Sequence, residues 1–193
     1  LQDFGVVPQA VDTLLLTHAH PDHIGGLLNE AGDAVYPNAQ LYLHPNEVAF
    51  WQDDERLAQA NERAQRNFTR ARRTLAVYGE RVHLLDDKPI VEGIRPVALP
   101  GHTPGHTGYR IDSPQESLII WGDIVHFPYI QTAQPDVSIA FDIDPEQAKA
   151  SRKRILAQAV QEKLLVAGMH FGGSGFARVI PEGQGYRMVY CEA

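Results

Sequence analysis

Cysteine is almost absent: the 193 residues contain one, Cys191. No internal disulfide can form and no cysteine cluster can hold a metal, so any bound ion must be held by nitrogen and oxygen. Long apolar runs are also missing. The longest, Leu14 to Leu16 and Leu118 to Trp121, are strand-sized, far below the roughly 18–20 residues that cross a bilayer. The chain opens Leu1-Gln2-Asp3 with no basic start or apolar stretch, so no secretory signal is visible. A mature exported protein reads the same way, which leaves the compartment open between cytoplasm and periplasm. Excess positive charge is lacking too. Seventeen Lys and Arg against 24 Asp and Glu give a formal charge of −7, which argues against a protein that tracks nucleic-acid phosphates. The expected partner is a small-molecule substrate, with no nucleic acid and no membrane. The composition, 44% hydrophobic and 21% charged, is that of an ordinary globular protein, and the length predicts one domain spanning residues 1–193.

Val11 to Leu16 reads as a buried strand and Pro21 as the start of a short helix reaching about Asn29. Leu41 to Leu43 is a second strand. Leu57, Ala60, Ala64, Phe68, Ala71 and Leu75 recur at steps of three and four and define a helix face, ended by Gly79. The opposite face carries Arg56, Glu62, Arg63, Arg66, Arg70 and Arg73 and reads as solvated surface. Strands follow at Val82 to Leu85, Ile94 to Leu99, Gly108 to Ile111, Leu118 to Trp121 and Leu164 to Ala167. Between the last two, Asp144-Pro145-Glu146 starts a helix running to about Gln161. Phe176 to Ile180 and Tyr186 to Tyr190 form a hairpin about a turn over Pro181 to Gly185. The mixture predicts an α/β or α+β class with helices covering a sheet.

The stretch His18-Ala19-His20-Pro21-Asp22-His23 places four potential ligands in six residues, directly after a buried strand. In extended chain, residues two apart project to the same side, so His18 and His20 can grip one ion. The helix begun at Pro21 points Asp22 and His23 elsewhere, toward a second. A catalytic zinc takes about three protein ligands plus water, so more donors are needed. They stand in Gly101-His102-Thr103-Pro104-Gly105-His106, in Gly122-Asp123 after the apolar Leu118 to Trp121, and at His170 after Leu164 to Ala167. Donors at strand ends on a shared sheet rim would converge on rigid supports.

HxHxDH, then GHTPGH, then GD after a strand, then a late histidine resembles the metallo-β-lactamase superfamily, from about residue 11 to 175. The wider run Trp121-Gly122-Asp123-Ile124-Val125-His126 and the helix after Asp144 resemble the branch of homoserine-lactone lactonases and methyl-parathion hydrolases. The resemblance implies an αβ/βα sandwich. It also implies two divalent metal ions, zinc first, with iron, cobalt or manganese as alternatives. On this reading His18, His20 and His106 hold one ion, Asp22, His23 and His170 hold the other, and Asp123 bridges them. His102 is assigned only a hydrogen bond within its turn. The family carries a further layer, roughly 70–100 residues, ahead of its first motif, which here begins at residue 18. The fold is therefore expected to be incomplete on its N-terminal side, its bare sheet covered by another chain in a homodimer.

Two ions about 3.5–4 Å apart can share a hydroxide formed near pH 7 and polarise a carbonyl or phosphoryl oxygen. The reading is thus a dinuclear hydrolase of lactones, esters or organophosphate triesters. Asp22 and Asp123 shuttle the proton. His126 stands where the lactonases usually carry a tyrosine; it either donates a similar hydrogen bond to the substrate or packs behind the site. Phe127 and Phe171 line an apolar pocket, with Tyr129, Phe50 and Trp51 as further candidates. The alternatives are a β-lactamase or glyoxalase-type thioesterase on the same scaffold, a nuclease, a redox di-iron protein, or a non-catalytic metal-binding remnant.

Overall fold

Two separate hydrophobic cores organise the chain in its computed structural model, which describes residues 2–86 and 88–192. They belong to two compact units, residues 1–86 and 87–193.

The first unit is built on a parallel sheet of three short strands, β1 (Thr13–Leu15), β2 (Gln40–Leu43) and β3 (Val82–Leu84), in that order. Its helices are α1 (Pro21–Ile24), α2 (Pro45–Gln52), α3 (Asp54–Gln59) and α4 (Glu62–Tyr78). Leu41 and Leu43 of β2 are fully buried and pack with Phe50, Trp51, Phe68 and Tyr78. The helix face expected from Leu57 onward is interrupted. Ala60 is extended at φ −72°, ψ 147°, and the Asn61 side chain accepts from the Ala64 amide to cap α4. An asparagine that can satisfy the first amides of a new helix competes with continuation of the old one. The arginine stripe on α3 and α4 is exposed, as expected. Gly79, at φ +52°, ends α4.

The second unit holds a mixed six-stranded sheet: β4 (Ile94–Ala98), β5 (Thr107–Asp112), β6 (Ser117–Ile120), β7 (Leu165–Ala167), β8 (Phe176–Glu182) and β9 (Gly185–Tyr190), in sequence order. All neighbours are antiparallel except β6 and β7. Parallel neighbours need a long crossover, here made by α5 (Pro128–Ala133) and α6 (Pro145–Gln161). Asp144 caps α6 by accepting from the Gln147 amide at 2.9 Å, and Pro145 opens it. The buried face of α6, with Ile155 and Leu156, packs in one core with Ile119, Trp121 and Val166 of the sheet side. No periodicity announced α5, which spans only six residues. The β8–β9 turn is tighter than expected: Glu182 pairs with Gly185, leaving two turn residues, with Gly183 at φ +59°. Short hairpins favour such a positive φ. Among the described residues no helix is long and apolar enough to cross a membrane.

Candidate metal centre

In the first unit the chain leaves β1 extended, and α1 begins at Pro21 with His20 as its N-terminal flank. His18 is fully buried; its ring lies 4.8 Å from that of His20, edge-on, and 4.1 Å from that of His23. His23 therefore packs beside His18, where a divergent direction was expected. Asp22 is exposed, with Oδ2 3.5 Å from His23 Nε2. A residue that spacing did not single out supports this loop. Glu47 on α2, fully buried, accepts at one oxygen from the Ala19 amide (2.9 Å) and the Trp51 indole (2.7 Å). It thereby fixes the peptide between His18 and His20, and the Trp51 ring meets His20 edge-on at 5.5 Å. Phe50 and Trp51, candidates for a substrate pocket, lie in the hydrophobic core.

In the second unit three loops emerge at one end of the sheet: the turn before β5, and the segments after β6 and after β7. Ile120 pairs with Ala167 in parallel register. Asp123 and His170 each follow three residues later, so equal offsets from adjacent parallel strands bring them together, His170 Nε2 lying 3.2 Å from Asp123 Oδ2. The GHTPGH turn is stitched to the start of α6. Asp144 donates its amide to Gly101, Ile143 donates to His102, and the Ser151 hydroxyl donates to Pro100. Gly101, at φ +129°, is required there, because a Cβ would stand 2.0 Å from the Ala148 nitrogen.

Asp123 is 2% exposed. Three imidazoles present Nε2 to its Oδ2: His170 at 3.2 Å, His102 at 3.5 Å and His126 at 4.0 Å. The His126 and His170 rings stack, with centroids 3.6 Å apart. A buried carboxylate needs a compensating cation. His102 Nδ1 lies 3.0 Å from Asp142 Oδ1. A carboxylate only accepts, so Nδ1 carries the proton and Nε2 presents its lone pair toward Asp123. Imidazole nitrogens converging on a buried carboxylate are donor types that hold a divalent cation.

His106 is bonded to the main chain at both ring nitrogens. Its Nδ1 donates to the Leu99 carbonyl at 3.0 Å, and its Nε2 accepts the Asp123 amide at 3.0 Å. Both nitrogens are occupied by main chain, with one consistent tautomer. Spacing alone could not separate the two histidines of the turn; their hydrogen-bond partners differ.

Beside these donors a cleft of about 440 Å³ is lined by His126, Phe127, Tyr129, His170, Phe171 and Tyr190, among others. The substrate-facing candidates His126, Phe127 and Phe171 thus share one wall system. Buried Gln131 of α5 accepts the amides of both His126 and Phe127 at its Oε1, at 2.7 and 2.9 Å, and holds that wall. Burial pushes the Tyr190 hydroxyl above its ordinary value of 10.0, so it stays neutral.

Sheets flanked by helices and buried imidazole–carboxylate groups define an α/β enzyme of the metal-dependent hydrolase class. The chain belongs to the metallo-β-lactamase superfamily, whose family model matches residues 1–170. Among solved structures it is similar to the hydrolase AbOPH of the β-lactamase superfamily, with 30% identity and a TM-score of 0.90 over 100% of this chain and 68% of that one. It is also similar to AidC, a dizinc quorum-quenching lactonase in complex with its N-hexanoyl-L-homoserine product. Here the identity is 28% and the TM-score 0.90, over 98% of this chain and 67% of that one. A probable metal-dependent hydrolase from Staphylococcus aureus, at 23% identity and TM-score 0.77 over 100% and 68%, shares the fold. No curated protein matches the chain. The αβ/βα fold class expected from the sequence is that of the family.

Proposed function

We propose that the chain is a dinuclear metal-dependent hydrolase of lactones, carboxylic esters or organophosphate triesters. The carrying observation is buried Asp123, with the Nε2 atoms of His170, His102 and His126 directed at one of its oxygens. In the first unit His18, His20, Asp22 and His23 would hold metal, and in the second His106, Asp123 and His170 would. The family match spans all of these donors.

When bound, the ions would supply Lewis acidity and a water activated near neutral pH. The residues do the rest. Asp123 orients the donors around it and, with Asp22, takes the proton of the attacking water. His126, on the cleft wall and stacked on His170, donates a hydrogen bond to the carbonyl or phosphoryl oxygen as it gains charge. Phe127 and Phe171 offer apolar surface to the substrate's uncharged part and exclude water. Similarity to a quorum-quenching lactonase supports lactones as the first class to test.

The test is the full chain loaded with zinc, cobalt or manganese and assayed on acyl-homoserine lactones, aryl esters, a paraoxon-type triester and β-lactams. The expected result is turnover of at least one of the first three classes, abolished by chelation. Turnover of β-lactams alone, or of nothing, overturns the reading.

A further inference from the structure

We propose that the pocket between α1 and α4 binds a small carboxylate carrying a short apolar chain. Arg70 and Arg73 hold the anion, and Ile24 and Leu28 meet the chain. All of its lining residues belong to the first unit, and the proposal does not depend on the hydrolase reading given above.

The pocket has a volume of about 260 Å³, which is small for a ligand site. Pro21, Ile24 and Leu28 line one side, and Arg70, Arg73 and Thr74 of α4 line the other. Its floor is apolar. Ile24 is buried in the first hydrophobic core, and Leu28 packs against that core. Arg70 and Arg73 are three residues apart, so they share one side of α4. Arg73 is also anchored. Its guanidinium fills the space left by Gly32, where a Cβ would overlap Nη2. That turn is itself fixed. The Gly32 amide donates to the Asn29 carbonyl and the Asp33 amide to the Asn29 side chain, each at 2.9 Å.

An exposed arginine is ordinary, and other members of the stripe have acidic partners. Arg56 pairs with Asp53, Arg66 with Glu62 and Arg72 with Asp54. Among the described residues, Arg70 and Arg73 make no ion pair or hydrogen bond. They stand so in a chain of net charge −7, with Glu30 and Asp33 in the adjoining turn. Like charges this close on a helix repel each other, and an anion between them offsets the repulsion. A guanidinium meets a carboxylate through two parallel hydrogen bonds. An inorganic anion would leave Ile24 and Leu28 uncovered, and a neutral apolar molecule would leave both guanidiniums unused. The small volume favours a chain of few carbons over a bulky phosphodiester. Hydrolysis of a short-chain ester, as proposed above, releases an acid of this class. The consequence reaches α1, whose four residues include Asp22 and His23 as well as Ile24. An occupant against Ile24 braces the helix that carries those two candidate donors.

The experiment follows the backbone amide shifts of the full chain, loaded with zinc, during titration with hexanoate. Hexanamide, acetate and dibutyl phosphate are the comparison ligands. The comparison protein carries Arg70→Gln together with Arg73→Gln. Hexanoate should shift the Ile24, Leu28 and Thr74 amides saturably and raise the melting temperature. Each comparison ligand should bind about tenfold more weakly or worse. The double variant removes exposed charges without partners, so it should melt as wild type does. It should lose about tenfold in hexanoate affinity, as expected for two exposed charge contacts. Shifts confined to Asp123 and His170 would put the carboxylate on the metal centre and overturn the proposal. So would equal affinity for any comparison ligand, or hexanoate binding unchanged in the double variant. Failure of the hydrolase assay leaves these outcomes untouched, and their failure leaves the hydrolase reading standing.

Discussion

The two units assemble their candidate donors by opposite routes. In the first, four candidates sit within six residues, and local chain direction alone makes neighbours of His18, His20 and His23. In the second, His106, Asp123 and His170 come from loops far apart in sequence, and only the order and direction of β5, β6 and β7 bring them to one end of the sheet. The first group is supported by one buried side chain, Glu47. The second is supported by a network running from Asp123 through His102 and Asp142 to Arg152. The contrast is between a motif that is complete as a string and a motif that exists only after folding.

The strongest way to break the comparison is Asp123→Ala, which removes the hub of the long-range group. Turnover should fall by about a hundred- to a thousandfold, and elemental analysis should find less metal than in wild type. Retention of both ions would mean that the local group holds them unaided. His23→Ala strikes the local group: it should cost one metal equivalent and most turnover, and near-normal rates would contradict a two-ion centre. A sharper test sets the two histidines of one turn against each other. His106→Ala should lose one equivalent of metal. His102→Ala should keep both ions but lose stability, about 1–3 kcal/mol for the Asp142 carboxylate left without its imidazole partner. The reverse pattern would make His102 the donor.

The smallest effect lies away from the site. Hydrogen bonds from Ser117 and Arg110 hold the Asp112 carboxyl below its usual 3.8, and Arg110 and Gln158 hold Glu162 below 4.5. Carboxyls with depressed folded values contribute stability that is present above those ordinary values and lost as pH falls through the depressed ones. Arg110→Met should therefore flatten the loss of stability on acidification below about pH 4.5, seen as a smaller drop in melting temperature. A parallel acid limb in both proteins would count against this network.

Much of this was readable in the string of residues. Pro145 after Asp144 announced α6, and alternation and turn residues announced most strands, because these signals are local. HxHxDH was readable for the same reason. Three things were not. The break at Ala60–Asn61 hid within an unbroken helical period, since an N-cap asparagine looks like any polar residue on a solvated face. Short α5 had too few residues to show a period. The partners of the two turn histidines, Asp142 for His102 and the Leu99 carbonyl and Asp123 amide for His106, are set by tertiary contacts. Glu47 was silent as well, being a glutamate inside a short helix until Ala19 and Trp51 are seen to point at it.

The matched offsets of Asp123 and His170 beyond β6 and β7 carry a practical consequence. What aligns that pair is the spacing from each strand end, whereas the composition of the excursion between the strands is not constrained by it. A change that inserts or deletes one residue at positions 121–122 or 168–169 should uncouple the pair outright. Exchange of the exposed rim, Tyr129 and Ile130 for example, should alter which substrates are accepted while chelation behaviour stays constant. Directed libraries aimed at new substrates therefore have a natural place to vary and a fixed length to respect.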